Sequence, residues 1–245
     1  MSAFPKPLII GHRGARGHAP ENTMASFWLA HEYGAHAIEL DTTLSGDGEL
    51  VVIHDDTIDR TTDGKGAVGE MTVNELKQFD AGRWYHPRFE GERIPTLEEV
   101  LAQLPENFII NIEIKGSSGK LEERLAKLLV QYNRVETVFI SSFRHKSLFY
   151  LKQLLPEIKV GLGYTADVVD HIAFARNFKL SLYSLHPHHA LIGLHEIAEA
   201  VAQQIEVYPY TVNSPEKMKT LIEAGASGII TDYPDRMSHL LKARI

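Results

Sequence analysis

The chain has 245 residues, with 25 Lys plus Arg against 32 Asp plus Glu, 13 His, no Cys and a formal charge of -7. An apolar content of 44% and a charged content of 23% exclude global disorder, and the absence of cysteine excludes disulfides, thiolate zinc sites, iron–sulfur clusters and Cys nucleophiles. The mild acidity argues against a nucleic-acid partner, and no apolar run reaches the ~18–20 residues of a membrane helix, so a protein without membrane insertion, located in the cytoplasm, is expected.

Short β-rich runs alternate with amphipathic helical runs along the chain. The first strand is expected at residues 8–11, followed by a helix at 23–33 after the start signal Pro20-Glu21-Asn22. A second strand covers 37–43. The run 45–95 then breaks the rhythm: Asp47-Gly48 is a hairpin signal, 49–55 reads as a returning strand, and 72–79 as a short helix. This stretch is expected to be an insertion too short to bury a core of its own. Thr96-x-x-Glu99 is a capping pattern for a helix at 96–103. The remaining strands are expected at 108–115, 137–143, 159–163, 180–186, 206–212 and 228–232. The helices between and after them fall at 121–132, 145–155, 166–176, 189–203, 215–224 and 234–243. Continuous apolar strands suit a parallel sheet covered on both faces. Eight βα repeats in this length predict an α/β fold, a TIM (β/α)8 barrel, with residues 1–245 forming one domain and the insertion at roughly 45–95. The alternation alone also allows a doubly wound open sheet.

A barrel concentrates chemistry at the C-terminal ends of its strands. There the first strand ends in His12-Arg13-Gly14, the second in Glu39-Leu40-Asp41, the third in Glu113-Ile114-Lys115 and the sixth in His186. Residues i and i+2 of a strand share a face. Glu39 with Asp41, and Glu113 with Lys115, therefore point into the barrel mouth, while Ile38, Leu40, Ile112 and Ile114 turn to the helices. Three clustered carboxylates repel one another unless a cation neutralises them, and an all-oxygen donor set suits Mg2+ or Ca2+. The other reading is a set of structural ion pairs, with Lys115 answering Glu113. His12 ends a barrel strand, and His54 is returned to the same rim by the hairpin. Both are candidates for proton transfer near neutral pH, and both can equally be structural. Arg13 and Lys115 suit a phosphate group, or balance the carboxylates.

The runs HRGARGHAPENTMASF (12–27), IELDTTLSGDGELVVIHDDTIDRTTDGKG (38–66), NIEIK (111–115), SSF (141–143), TVN (211–213) and GIITDYP (228–234) resemble the glycerophosphodiester phosphodiesterase family. The resemblance runs from about Leu8 to Leu240, and the short form is similar to the bacterial cytoplasmic branch. It implies a TIM barrel with a small insertion, one divalent cation, and a small-molecule substrate. The implied reaction is hydrolysis of glycerophosphodiesters to sn-glycerol 3-phosphate and an alcohol. Carried over by motif, His12 and His54 are the implied acid/base pair. Glu39, Asp41 and Glu113 are the implied metal ligands. Arg13 and Lys115 are expected to hold phosphoryl oxygens, and Phe143, His186 and Tyr210 to line the substrate site. Tyr210 stands where many members have Trp, and His186-Pro187-His188-His189 is richer in histidine than the usual pattern, which leaves a second metal site or solvated loop histidines open. A metal-dependent isomerase or aldolase on the same barrel and a lysophospholipid specificity are the rival enzyme readings. A non-catalytic binding module is the third alternative. Residues 161–166 also fit GxGxxA, a weak nucleotide signal when alone.

Overall fold

The computed structural model describes residues 4–116 and 118–243. Eight parallel strands form the barrel: β1 (Leu8–His12), β2 (Ala37–Leu44), β4 (Ile109–Ile114), β5 (Val138–Ser142), β6 (Lys159–Tyr164), β7 (Ser184–Pro187), β8 (Glu206–Val207) and β9 (Gly228–Thr231). β3 (Leu50–Val52) pairs antiparallel with β2 outside this set. The spatial order is β8-β7-β6-β5-β4-β2-β1-β9. The last gap closes through backbone bonds, Ser227 N–H to Val207 O at 3.0 Å and Ile230 N–H to Pro209 O at 3.1 Å. The open-sheet alternative is thereby excluded.

The helices are α1 (Met24–Glu32), α2 (Val73–Leu76), α3 (Leu97–Gln103), α4 (Lys120–Gln131), α5 (His145–Leu154), α6 (His171–Arg176), α7 (Leu194–Ala202), α8 (Pro215–Glu223) and α9 (Pro234–Lys242). All but α2 wrap the barrel. α4 shows why: Leu121, Leu125, Leu128 and Leu129 recur at helical spacing and are all buried. Each such leucine contributes about 1.5–3 kcal/mol of burial relative to exposure. These residues join Ile38, Leu40, Ile112 and Ile114 in the layer between strands and helices. A second apolar cluster, of Leu8, Ile10, Phe139, Tyr208 and Ile230, forms apart from that layer, and its Ile230 reaches the site cavity.

Several boundaries differ from the sequence reading, each for a local reason. β7 starts at Ser184 rather than 180, because Lys179 takes φ +64 and turns the chain just before. α6 starts at His171 rather than 166, because the Asp170 side chain caps the Ala173 N–H. α7 starts at Leu194 rather than 189, where Glu196 reaches back to the Gly193 N–H. β8 stops at Val207 rather than 212; Pro209 carries no N–H for the ladder. The GxGxxA match starts inside β6, runs two residues past its end and opens no helix. Gly161 is required there because a Cβ would lie 2.3 Å from Ser184 Oγ.

The insertion also corrects an expectation. The hairpin forms as expected, with Gly48 at φ +85. Yet the insertion does gather its own small apolar cluster of Val51, Ile53, Ile58, Val68, Leu76, Ala81 and Ile94. Folding back on α2 and the 3-10 turn Val68–Glu70 brings together residues too scattered in sequence to show a period. This cluster holds the loop that carries His54. Among the described residues, no helix is long and apolar enough to cross a membrane.

Candidate active site

Glu39 and Asp41 leave β2, and Glu113 leaves the neighbouring β4, with Asp41 in register with Glu113. One carboxylate oxygen from each lies within 4.8 Å of the other two. Lys115 Nζ answers two of them, at 2.7 Å from Glu113 and 3.2 Å from Asp41. Glu39 receives the Arg13 backbone N–H at 2.9 Å; among the described residues it has no side-chain ion pair. Burial, with Asp41 and Glu113 beside it, pushes its carboxyl well above the usual range. Burial and Asp41 push Glu113 up as well, while Lys115 and Arg13 outweigh burial at Asp41 and bring it down. The cluster therefore lacks positive charge at Glu39, and its donors are oxygens only. These residues fit a hard divalent cation.

The two histidines stand beside this cluster, each backed by a carboxylate. His12 Nδ1 lies 2.7 Å from Asp232 Oδ1, at the end of β9. Asp232 is held in turn by the Asn213 amide at 2.8 Å. His54 Nδ1 lies 2.6 Å from Asp55 Oδ1, just beyond β3, where Ile53 N–H still bonds to Asp41 O at 3.1 Å. A carboxylate acceptor at Nδ1 fixes the proton there in the neutral ring, which leaves the Nε2 lone pair as the base. Burial lowers the pKa of both rings, against the pull of Asp232 on His12 and of Asp41 and Asp55 on His54.

Arg13 follows His12 directly and adopts φ +52. A non-glycine residue there costs about 1–3 kcal/mol and persists only where its surroundings hold it. Here the Asn22 N–H and the Ser26 hydroxyl both bond to the Arg13 carbonyl. Gly14 beside it, at φ +85, lets the chain pass Ser26, whose Oγ would lie 2.4 Å from any Cβ. The Arg13 guanidinium does not hang free. It bonds Glu21 at 2.6 Å and lies 3.2 Å from Asp41. Glu21 is buried and also receives Arg60 through two bonds, at 2.9 and 2.8 Å. Burial pushes the Glu21 carboxyl up, but the Arg60 bonds and the Arg13 charge outweigh it and bring it down to about 2. The unfolded chain then binds more protons than the folded one between about pH 4.5 and 2, so this stabilisation is present above pH 4.5 and fades below it. Glu21→Gln is expected to cost about 2 kcal/mol at pH 7, a value discounted for the half-exposed Arg60 partner. Urea unfolding of both proteins should show the difference shrinking as pH falls from 4.5 toward 2; a constant difference would contradict the assignment.

The remaining expected residues line the cavity between these groups. Phe143 is 44% exposed and meets Tyr210 edge-on at 5.8 Å. The Tyr210 hydroxyl donates to Tyr164 O at 3.1 Å. His186 is set deeper: it is 3% exposed, its Nε2 lies 2.9 Å from Ser184 Oγ, and burial brings its pKa down to about 3. It stays neutral at physiological pH. Asn111 lines the same cavity, and both polar atoms of its buried amide lack a protein partner. His188 and His189 stack on each other at 4.8 Å. Among the described residues they join no cluster of three candidate ligands like that of Glu39, Asp41 and Glu113.

A model of the glycerophosphoryl diester phosphodiesterase family matches residues 12–236. The chain belongs to this family. A glycerophosphodiester phosphodiesterase from Caldanaerobacter subterraneus subsp. tengcongensis is 43% identical over 244 residues, across 97% of this chain and 98% of the relative. One from Bacillus altitudinis is 38% identical over 235 residues, across 93% and 95%. Among solved structures, an Oleispira antarctica phosphodiesterase in complex with its product sn-glycerol-3-phosphate superposes with a TM-score of 0.90, at 31% identity and 97% coverage of both chains. As a member of the glycerophosphodiester phosphodiesterase family, the protein is an enzyme of that class.

Five residues of this family member belong to the site without having been singled out by sequence reasoning: Glu21, Asn22, Asp55, Arg60 and Asp232. Asn22 bonds Asp41 from both ends of its amide, at 2.9 and 3.3 Å. In the sequence, Pro20-Glu21-Asn22 reads as a helix start, and Thr23 does cap α1. The additional signal was available at Asp232, an acid at a strand end like Asp41. Asp55 carried one too, as an acid next to His54. Arg60 carried none, since its partners lie 5 and 39 residues away.

Proposed function

We propose that the chain hydrolyses glycerophosphodiesters to sn-glycerol 3-phosphate and an alcohol in a metal-dependent reaction, with His12 and His54 as the acid/base pair. The observation that carries this reading is a pair of carboxylate-backed histidines at a cluster of three carboxylates with too little positive charge: His12 lines one cavity with Glu39 and Glu113, and His54 feels the charge of Asp41. Glu39, Asp41 and Glu113 would hold Mg2+ or Ca2+, which supplies Lewis-acid polarisation of the phosphoryl group when bound. One histidine takes the proton of the attacking oxygen, either water or the substrate's own 2-hydroxyl. The other gives a proton to the leaving alcohol. Arg13 and Lys115 flank the carboxylate cluster, each 3.2 Å from Asp41, and would offer N–H donors to the phosphoryl oxygens. Phe143 and Tyr210 form an aromatic wall suited to the glycerol or the head group. The product complex of the Oleispira relative supports a small-molecule substrate of this kind. The expected setting is the cytoplasm.

The test is a release assay. Glycerophosphocholine and glycerophosphoethanolamine are expected to yield sn-glycerol 3-phosphate and the free alcohol, with activity lost on chelation. Bis(4-nitrophenyl) phosphate, which lacks glycerol, should be turned over more slowly. Failure to release sn-glycerol 3-phosphate from either natural diester would overturn the reading.

A further inference from the structure

His54 is not on a barrel strand. It follows β3 in the insertion, whereas Arg13 follows β1 in the barrel wall. The two must keep a fixed spacing if they act on one phosphodiester, because proton transfer and charge stabilisation tolerate errors of only about an ångström. No strand ladder links the two segments directly. One link runs through β2, where Ile53 N–H bonds Asp41 O and Asp41 meets Arg13; the link that reaches the His54 ring itself is a chain of charged side chains. His54 Nδ1 meets Asp55 Oδ1 at 2.6 Å. Arg60 grips Asp55 through Nε and an Nη, at 2.7 and 3.1 Å. The far edge of the same guanidinium grips Glu21, at 2.9 and 2.8 Å. Glu21 Oε1 then holds Arg13 at 2.6 Å.

We propose that Arg60 and Glu21 are positioning residues that lock His54 to Arg13 across the seam between the insertion and the barrel. The assignment rests on the reading of His54 as a proton-transfer group. Arginine is specific for the task. Its planar fork offers two edges, and here each edge takes a separate carboxylate; a lysine offers one point charge. Glu21 is the fixed end of the link. It is buried, it precedes α1, and it cannot relax without moving Arg13. Arg60 is the part that the insertion contributes, and its side chain is 43% exposed, so its replacement leaves no cavity in the core.

The experiment is a double-mutant cycle in kcat on glycerophosphocholine with metal present. Arg60→Met is expected to lower kcat about tenfold to hundredfold, the size typical for losing the partner that orients a catalytic group, with KM changed less than about threefold. In the His54→Ala background the same substitution should change kcat by less than about twofold, because the residue it acts through is gone. Arg60→Lys should recover little of the lost rate while still melting cooperatively. If Arg60→Met were to lose cooperative melting, Arg60→Lys carries the same cycle. An equal loss in both backgrounds, or an unchanged kcat in Arg60→Met, would overturn the inference and leave the role of His54 standing. A His54→Ala variant with near-wild-type kcat would instead remove the catalytic reading of His54, and the inference with it.

Discussion

His12→Ala is expected to lower kcat by at least ~10²-fold, and His54→Ala likewise, with the barrel intact in both. General acid–base catalysis contributes roughly 10²–10⁴-fold per group, about 2.7–5.5 kcal/mol of barrier. Both rings have what that role requires. Each carries a carboxylate at Nδ1, which sets the tautomer and stabilises the ring when it takes a proton. His12 shares its cavity with Glu39 and Glu113. Neither ring is packed into the core, so truncation to alanine leaves the apolar layers untouched. Steady-state kinetics at saturating diester, paired with thermal melting, checks the claim. The two variants should also respond differently to the leaving group. An activated nitrophenolate departs without a donated proton, so whichever histidine is the acid should lose less rate on bis(4-nitrophenyl) phosphate than on glycerophosphocholine. Near-wild-type kcat in either variant would sink that residue's assignment.

The barrel was legible because its signals are local and repeated. Most strands are short apolar runs, and helices such as α3 and α4 bring their own cap, at Thr96, or their own leucine stripe. The carboxylate cluster was legible for a related reason. Alternation along β2 and β4 places Glu39, Asp41 and Glu113 on one face by counting residues alone. What stayed hidden was set by pairs far apart in sequence. Asp232 reaches His12 across 220 positions, and Arg60 reaches Glu21 across 39. No period in the sequence encodes such contacts. The same limit explains the insertion. Its apolar residues, such as Ile58, Val68 and Ala81, have irregular spacing and form a cluster only once the loop has folded back. His186 shows the opposite case. Its place at a strand end suggested substrate contact, but the ring is 3% exposed and packs on Phe139 and Tyr208 at 5.9 and 5.5 Å. The cavity still touches it, as a neutral group.

Exhaustive chelation is expected to abolish activity, and Mg2+ or Ca2+ to restore it. Asp41→Asn should not be rescued at the same metal concentration. Loss of several kcal/mol of Lewis-acid stabilisation corresponds to a rate loss on the order of 10³-fold or more. Asp41 is the most exacting of the three positions. It is 1% exposed and is oriented at once by Asn22, Arg13 and Lys115. Glu39 gives a second readout that does not depend on turnover. Its charge is buried among like charges with no side-chain ion pair among the described residues, so in metal-free protein it destabilises the fold. Glu39→Gln should therefore melt at a higher temperature than wild type in chelator. With cation added the order should reverse. A ligand at 100 times its dissociation constant stabilises the wild type by about 2.7 kcal/mol, and the variant binds it more weakly. The crossing of the two melting series identifies these carboxylates as the cation site. Parallel series, or full activity after chelation, would mean that the three acids are held by Lys115 and Arg13 alone and that the reaction proceeds without the ion.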